Sequence, residues 1–169
     1  QRVTVWCAIS KQGIIGPYFF EENDREVTVT SARYVNMINN FFLPHLQGIG
    51  VKNMWFQQDG ATAHTAQIAM QVLRENFPGR LVSLRGDFPW PARSPDLAPC
   101  DFFLWGYLKS IVYNNRPRTI ADLKENIRQA IAGIPIAMLE RVNRSFRNRL
   151  TECIDNEGRH LPDVIFKTM

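Results

Sequence analysis

The chain is expected to fold as an α/β protein, a mixed sheet flanked by helices with a helical C-terminal extension, and three observations carry that expectation. Strand-like and helix-like segments follow one another in the order three strands, helix, strand, helix, strand, and every later segment is helix-like. The length of 169 residues suits one domain, and 45% apolar residues with 21% charged residues exclude a disordered or collagen-like chain. A domain of this size buries roughly 70% of the surface its unfolded chain exposes, so it can hold a core without disulfide staples. The three cysteines agree: Cys7, Cys100 and Cys153 are far apart, odd in number and without a C-x-x-C pair.

The elements follow in order. Val3 to Ser10 is β-branched and aromatic, and Gly13 and Gly16 punctuate the way to Pro17–Glu21, so the opening reads as a hairpin. An acidic turn at Glu21–Glu26 leads to a short third strand, Val27–Thr30. Ser31 can cap a helix carrying Tyr34, Ile38, Phe41 and Phe42, stopped near Pro44. Met54–Gln58 is a compact buried strand ending at Asp59-Gly60. A helix over Thr65–Asn76 sets Ile68, Ala69, Val72 and Leu73 on one face, and Leu81–Leu84 is another strand. Residues 89–99 hold four of the ten prolines and read as an extended connector. Asp101 then opens an apolar helix with Phe103, Leu104, Leu108 and Ile111. Thr119 with Asp122 makes a capping-box start for a helix with Ile120, Leu123, Ile127 and Ile131. Pro135 starts the last helix, with Leu139, Val142, Phe146 and Leu150 inward. The expected organisation is a single domain over residues 1–169, with a core at 1–113 and a helical part at 114–169.

Net charge is +4 and unevenly placed. Residues 1–101 hold nine Lys/Arg against nine Asp/Glu, and the remaining 68 residues hold eleven against seven, an asymmetry that points to a polyanionic partner. No stretch approaches ~18 uncharged apolar residues, and no basic-then-apolar leader opens the chain, so a soluble intracellular protein without a membrane partner is expected. The opening at Gln1 directly before a strand reads as a piece of something longer.

Two acids stand where chemistry could sit. Asp59 follows a buried strand, the place where open α/β sheets put their ligands, although an Asx-turn acid would look the same. Asp101 lies in the first helical turn after the proline-rich connector, where the helix dipole also favours a plain capping acid. Brought together, two carboxylates repel unless cations lie between them, and oxygen-only ligation suits Mg²⁺ or Mn²⁺. Asp96 in Ser94-Pro95-Asp96 competes for the second place but reads more as a turn. His64, five residues beyond Asp59, could hydrogen-bond that acid, contact a phosphate, or merely sit at the mouth of a helix. Arg141, Arg144, Arg147 and Arg149 surround the last helix, as a solvated face or as DNA phosphate contacts. No G-x-G-x-x-G, Walker loop, H-E-x-x-H or G-x-S-x-G is present.

Three blocks then become recognisable: Val3–Ser10, Trp55-Phe-Gln-Gln-Asp-Gly-Ala-Thr-Ala-His64, and Trp90-Pro-Ala-Arg-Ser-Pro-Asp-Leu-Ala-Pro-Cys-Asp-Phe-Phe-Leu-Trp105, continued by Arg116–Lys124. Together they resemble the catalytic domain of Tc/mariner-type transposases, within the DDE/D superfamily, over nearly the whole chain. The resemblance implies a ribonuclease-H-like fold in which three acids bind two divalent ions, Mg²⁺ or Mn²⁺. The second acid maps onto Asp59 and the third onto Asp101, with 41 residues between them, a longer spacing than the common mariner one. The first acid and its strand precede this chain, as does the family's helix-turn-helix region, so the isolated chain is expected to be inactive or nearly so. The implied reaction is metal-assisted phosphodiester cleavage and strand transfer on double-stranded DNA, the terminal repeats and a target, by a nuclear enzyme working as a homodimer. A decayed or host-adopted DNA-binding or assembly remnant without catalysis is the alternative, and a stand-alone metal nuclease of similar fold is a third.

Overall fold

The computed structural model describes residues 2–49, 53–90, 94–159 and 161. Two compact units emerge, Tyr18–Ser94 and a second made of Gln1–Pro17 with Pro95–Met169.

In the second of these units, β1 (Val5–Ser10) and β2 (Gly13–Phe19) are hydrogen-bonded neighbours, joined by a tight turn in which the Ser10 hydroxyl donates to the Gly13 carbonyl. Gly16, with φ of +133°, lies in β2 where a Cβ would come 2.9 Å from Cys7 Sγ, so only glycine fits there. Burial, with a smaller contribution from Cys100, pushes the Cys7 thiol well up and keeps it protonated.

The same unit carries the helical part of the chain. After a 3₁₀ turn at Pro95–Leu97 and a wide π-helical turn at Cys100–Leu104 comes the helix Trp105–Ile111. A longer helix, Ile120–Ala132, opens with the capping box the sequence predicts: the Thr119 hydroxyl accepts from the Asp122 N–H while the Asp122 carboxylate accepts from the Thr119 N–H. Its Leu123, Ile127 and Ile131 are buried. Asn126 donates to the Val112 carbonyl at 2.7 Å and exchanges amide bonds with Asn115, tying this helix to the end of the preceding one. The last helix, Ile136–Asp155, is capped by Pro135 and buries Leu139 and Val142. Phe146 and Leu150 are only half-buried, and Arg149 is buried instead.

In Tyr18–Ser94, residues Val27–Thr30 are not a strand. The pairing instead joins β3 (Glu21–Glu22) to β4 (Arg25–Glu26) antiparallel across Asn23 and Asp24, both at positive φ. These are residue types that accept the left-handed conformation a two-residue hairpin turn demands. Thr30, not Ser31, caps α1 (Ser31–Met37), its side chain accepting from the Arg33 N–H. The helix does not stop near Pro44. It widens into a π-helical turn at Ile38–Phe42 and continues as α2 (Leu43–Ile49). Proline lacks an N–H and crowds the carbonyl four residues back, and the wide turn beside it absorbs that conflict.

Three short parallel strands form the sheet of this unit, in the order β5 (Phe56–Gln57), β6 (Leu81–Ser83) and β7 (Phe88–Pro89). The last of these runs into the first residue, Pro89, of the stretch 89–99 expected to be only a connector, of which 91–93 fall outside the described residues. The β6 to β7 link is tightened by the Asp87 carboxylate accepting from the Leu81 N–H, and Gly86 packs so closely that a Cβ would sit 2.4 Å from the Leu81 carbonyl oxygen. Helices α3 (Thr62–Thr65) and α4 (Gln67–Asn76) follow β5. On α4 the inward face is Ala69, Met70 and Leu73, whereas Ile68 is exposed. Phe42, Phe56 and Phe77 close the core, with ring centroids 5.1 to 6.2 Å apart.

Candidate active site

Strand β5 is only two residues long, yet it sets three neighbours on different tasks. The Phe56 N–H donates to the Arg80 carbonyl and the Gln58 N–H to the Val82 carbonyl, which fixes the chain against β6. Strand alternation then turns Phe56 and Gln58 to the buried side and ends the element at Asp59.

Gln58 is 7% exposed, so its amide must be satisfied from within the protein. Its Oε1 accepts from the Tyr34 hydroxyl at 2.8 Å, and its Nε2 donates to the His64 carbonyl at 2.9 Å and to Ser83 Oγ at 3.0 Å. One side chain thereby joins α1, β6 and the helical turn that carries His64. The Tyr34 ring also stacks on the imidazole, with centroids 4.2 Å apart, so His64 is held by both its backbone and its ring.

The held imidazole meets the acid. His64 Nδ1 lies 2.5 Å from Asp59 Oδ1, and the Ala61 N–H donates to the same oxygen at 3.0 Å. Since a carboxylate can only accept, Nδ1 is the protonated nitrogen. The His64 hydrogen bond holds the Asp59 carboxyl below the usual carboxylate range, outweighing partial burial, and the imidazole charge and the Ala61 N–H add to it. The Asp59 side chain is 57% exposed. Oδ1 is thus occupied and oriented by the protein, and Oδ2 has no protein hydrogen bond among the described residues. An ionised, oriented, solvent-reachable oxygen is what a hard divalent cation takes as a ligand.

Asp101 belongs to the other unit. It is exposed on the π-helical turn Cys100–Leu104, its N–H donating to the Ala98 carbonyl at 2.8 Å, with the Phe102 N–H on the same oxygen. Widened turns of this kind occur often where a helix must present a functional side chain. Asp96, the competing acid, is buried within the 3₁₀ turn, which is the turn role its Ser-Pro-Asp context predicts. Among the described residues no group of three or more His, Cys, Asp or Glu side chains is arranged to hold a metal ion.

The four arginines of the last helix divide. Arg141, Arg144 and Arg147 are exposed. Arg149 is 5% exposed, so it is neither a solvated residue nor an outward phosphate contact. The physical reason is helical phase: seven residues beyond Val142, at about 100° per residue, it returns to the buried stripe. The residues that sequence reasoning missed are Tyr34, Gln58 and Ser83. Their only signal was a second glutamine at an inward strand position, where a polar side chain needs buried partners.

A mixed α/β fold with an acid at the end of a parallel strand is an arrangement of the ribonuclease-H-like class. Solved structures bear out the fold. The catalytic domain of Mos1 mariner transposase, solved with raltegravir and Mg, superposes with a TM-score of 0.76 at 21% identity, over 94% of this chain and 77% of that one. The crystal structure of the Mos1 mariner catalytic domain gives 0.73 at 20% identity, over 94% and 82%. A Mos1 paired-end complex with the left transposon end gives 0.75 at 21%, over 91% of this chain and 43% of that one. No family model matches the chain. Its sequence is, however, 34% identical over 158 residues to the Tc3 transposase of Caenorhabditis elegans, covering 92% of this chain and 44% of that protein. The chain is thus similar in sequence to a Tc/mariner-type transposase and has the fold of the Mos1 catalytic domain, and it spans less than half the length of the Tc3 relative.

Proposed function

We propose that this chain carries the catalytic acids of a transposase that cuts and joins double-stranded DNA at the terminal repeats of a transposable element, using Mg²⁺ or Mn²⁺. The observation that carries the reading is Asp59: an ionised carboxylate at the end of a parallel strand, with one oxygen fixed by His64 and Ala61 and the other accessible. Asp101, an exposed acid on a widened turn, is the second ligand in this reading, and the donor set is oxygen only, which suits these ions. Mos1 catalytic domains solved with Mg and with Mn support the choice.

A bound pair of such ions supplies an activated water and stabilises the leaving oxygen of a phosphodiester. The residues of the chain do the positioning. His64 keeps Asp59 ionised and in one rotamer, and Gln58 and Tyr34 keep His64 from turning away. The exposed Arg141, Arg144 and Arg147 offer a basic helix face to DNA phosphates. Homologous Mos1 complexes with a transposon end support DNA as partner. We further propose a homodimer acting in the nucleus, and that the 169 residues alone, with two candidate acids where the family resemblance implies three, do not cleave.

The test is a cleavage assay on terminal-repeat DNA with Mg²⁺, using the chain together with whatever sequence its gene places before Gln1. Asp59→Ala and Asp101→Ala should each lower cleavage at least 100-fold. Cleavage that survives either substitution overturns the assignment of that acid. Salt-dependent DNA binding with no cleavage would favour instead a remnant kept for binding or assembly, a reading to which the basic helix face also lends itself.

A further inference from the structure

Arg149 is a cation in the core of its unit, and its contacts converge on the acid-bearing turn. Its guanidinium lies 4.3 Å over the Phe102 ring, an Nη1 proton goes to the Asp96 carbonyl at 3.1 Å, and Nε donates to Ser145 Oγ at 3.3 Å. Phe102 follows Asp101 directly, and the Asp96 carbonyl belongs to the 3₁₀ turn that leads into it. Burying a guanidinium is costly unless it is paired, so an arginine is retained at such a place only with partners for its donors. Burial pushes its pKa below the usual arginine range, against the opposing pull of Asp96 and Glu152.

We infer that Arg149 is a positioning residue for Asp101: from the last helix it clamps both flanks of the turn Pro95–Leu104, by stacking on Phe102 and holding the Asp96 carbonyl. The inference rests on the reading of Asp101 as a metal ligand, and it adds a residue that reading does not contain. A planar guanidinium can stack and donate at once, whereas a lysine ammonium can donate but has no plane, so the two substitutions part the contributions.

The experiment compares the wild-type chain with Arg149→Met and Arg149→Lys by NMR, following amide hydrogen exchange and the broadening of amide signals by added Mn²⁺. In Arg149→Met the Asp101 and Phe102 amides, both bonded to the Ala98 carbonyl, should exchange at least tenfold faster relative to those of helix Ile120–Ala132. The Mn²⁺ concentration for half-broadening at Asp101 should rise at least threefold. Arg149→Lys should fall between wild type and Arg149→Met in both measures. Exchange that rises evenly along the unit would show a merely structural arginine and overturn the proposal, as would an unchanged Mn²⁺ midpoint at Asp101. Wild-type signals at Asp101 that Mn²⁺ does not broaden would overturn the metal-ligand reading itself, and the exchange data would then still decide whether Arg149 holds the turn.

Discussion

Replacing Gln58 by Leu tests whether the polar hub beneath Asp59 is worth what its geometry implies. The side chain is buried and makes three hydrogen bonds of 2.8 to 3.0 Å, to Tyr34, His64 and Ser83. Leucine nearly conserves the volume but withdraws the partner from all three groups. A buried hydrogen bond contributes about 0.5–1.5 kcal/mol net, and a polar group left without its partner costs about 1–3 kcal/mol. Three such groups, partly relieved by water or by the Met70 sulfur near Ser83, give an expected loss of about 3–4 kcal/mol. Tyr34→Phe removes one bond and leaves Gln58 Oε1 without that donor, for about 1–2 kcal/mol. Because both substitutions break the same bond, the double variant should cost about 1 kcal/mol less than the sum of the singles. Urea unfolding followed by tryptophan fluorescence, with equal slopes in all four proteins, measures each value. Costs that simply add, or a loss below about 1 kcal/mol for Gln58→Leu, would show that the hub does not hold these elements together.

Two more outcomes follow from the same structure. Folding lowers the Asp59 pKa from its ordinary 3.8, so the stability it contributes is complete above that value and is lost as pH falls through the lowered folded value. Asp59→Asn should therefore lose less stability than wild type between pH 4 and pH 2.5, read as a flatter acid limb in thermal melts; parallel limbs would contradict the His64 contact. Thr119→Ala should cost about 1 kcal/mol by removing the cap, with amide exchange quickened in the first turn of the helix Ile120–Ala132 and unchanged in its last turn.

What was legible in the sequence was what rests on local rules. The capping box at Thr119, the helix after Pro135 and the hairpin at β1 and β2 each follow from residue types a few positions apart, and each is present. Errors arose where a distant contact outweighed the local signal. Pro44 looks like a stop, but the preceding turn can widen at no cost in caps. Val27–Thr30 has strand composition but finds no strand partner among the described residues, while the charged Glu21–Glu26 pairs with itself across a turn suited to Asn and Asp. In the candidate site, Asp59 and His64 were visible by spacing, because five residues with one helical turn bring them within hydrogen-bond reach. Tyr34 comes from a helix 24 positions before Gln58, and no pattern of spacing announces such a partner. Arg149 was misread because its charge was weighed before its helical phase.

The wide turn at Ile38–Phe42 also divides its helix into two parts with different tolerance to change. Before it, α1 faces the core with Tyr34 and Met37, and rotating that segment would carry the Tyr34 hydroxyl away from Gln58. Beyond it, α2 has no buried residue, and Pro44, His45, Gln47, Gly48 and Ile49 are all exposed. The extra residue in the turn decouples the azimuth of one half from that of the other. The α2 segment is therefore the natural place to graft a label or a fused module, since lengthening the chain there leaves the register of everything that supports Asp59 untouched.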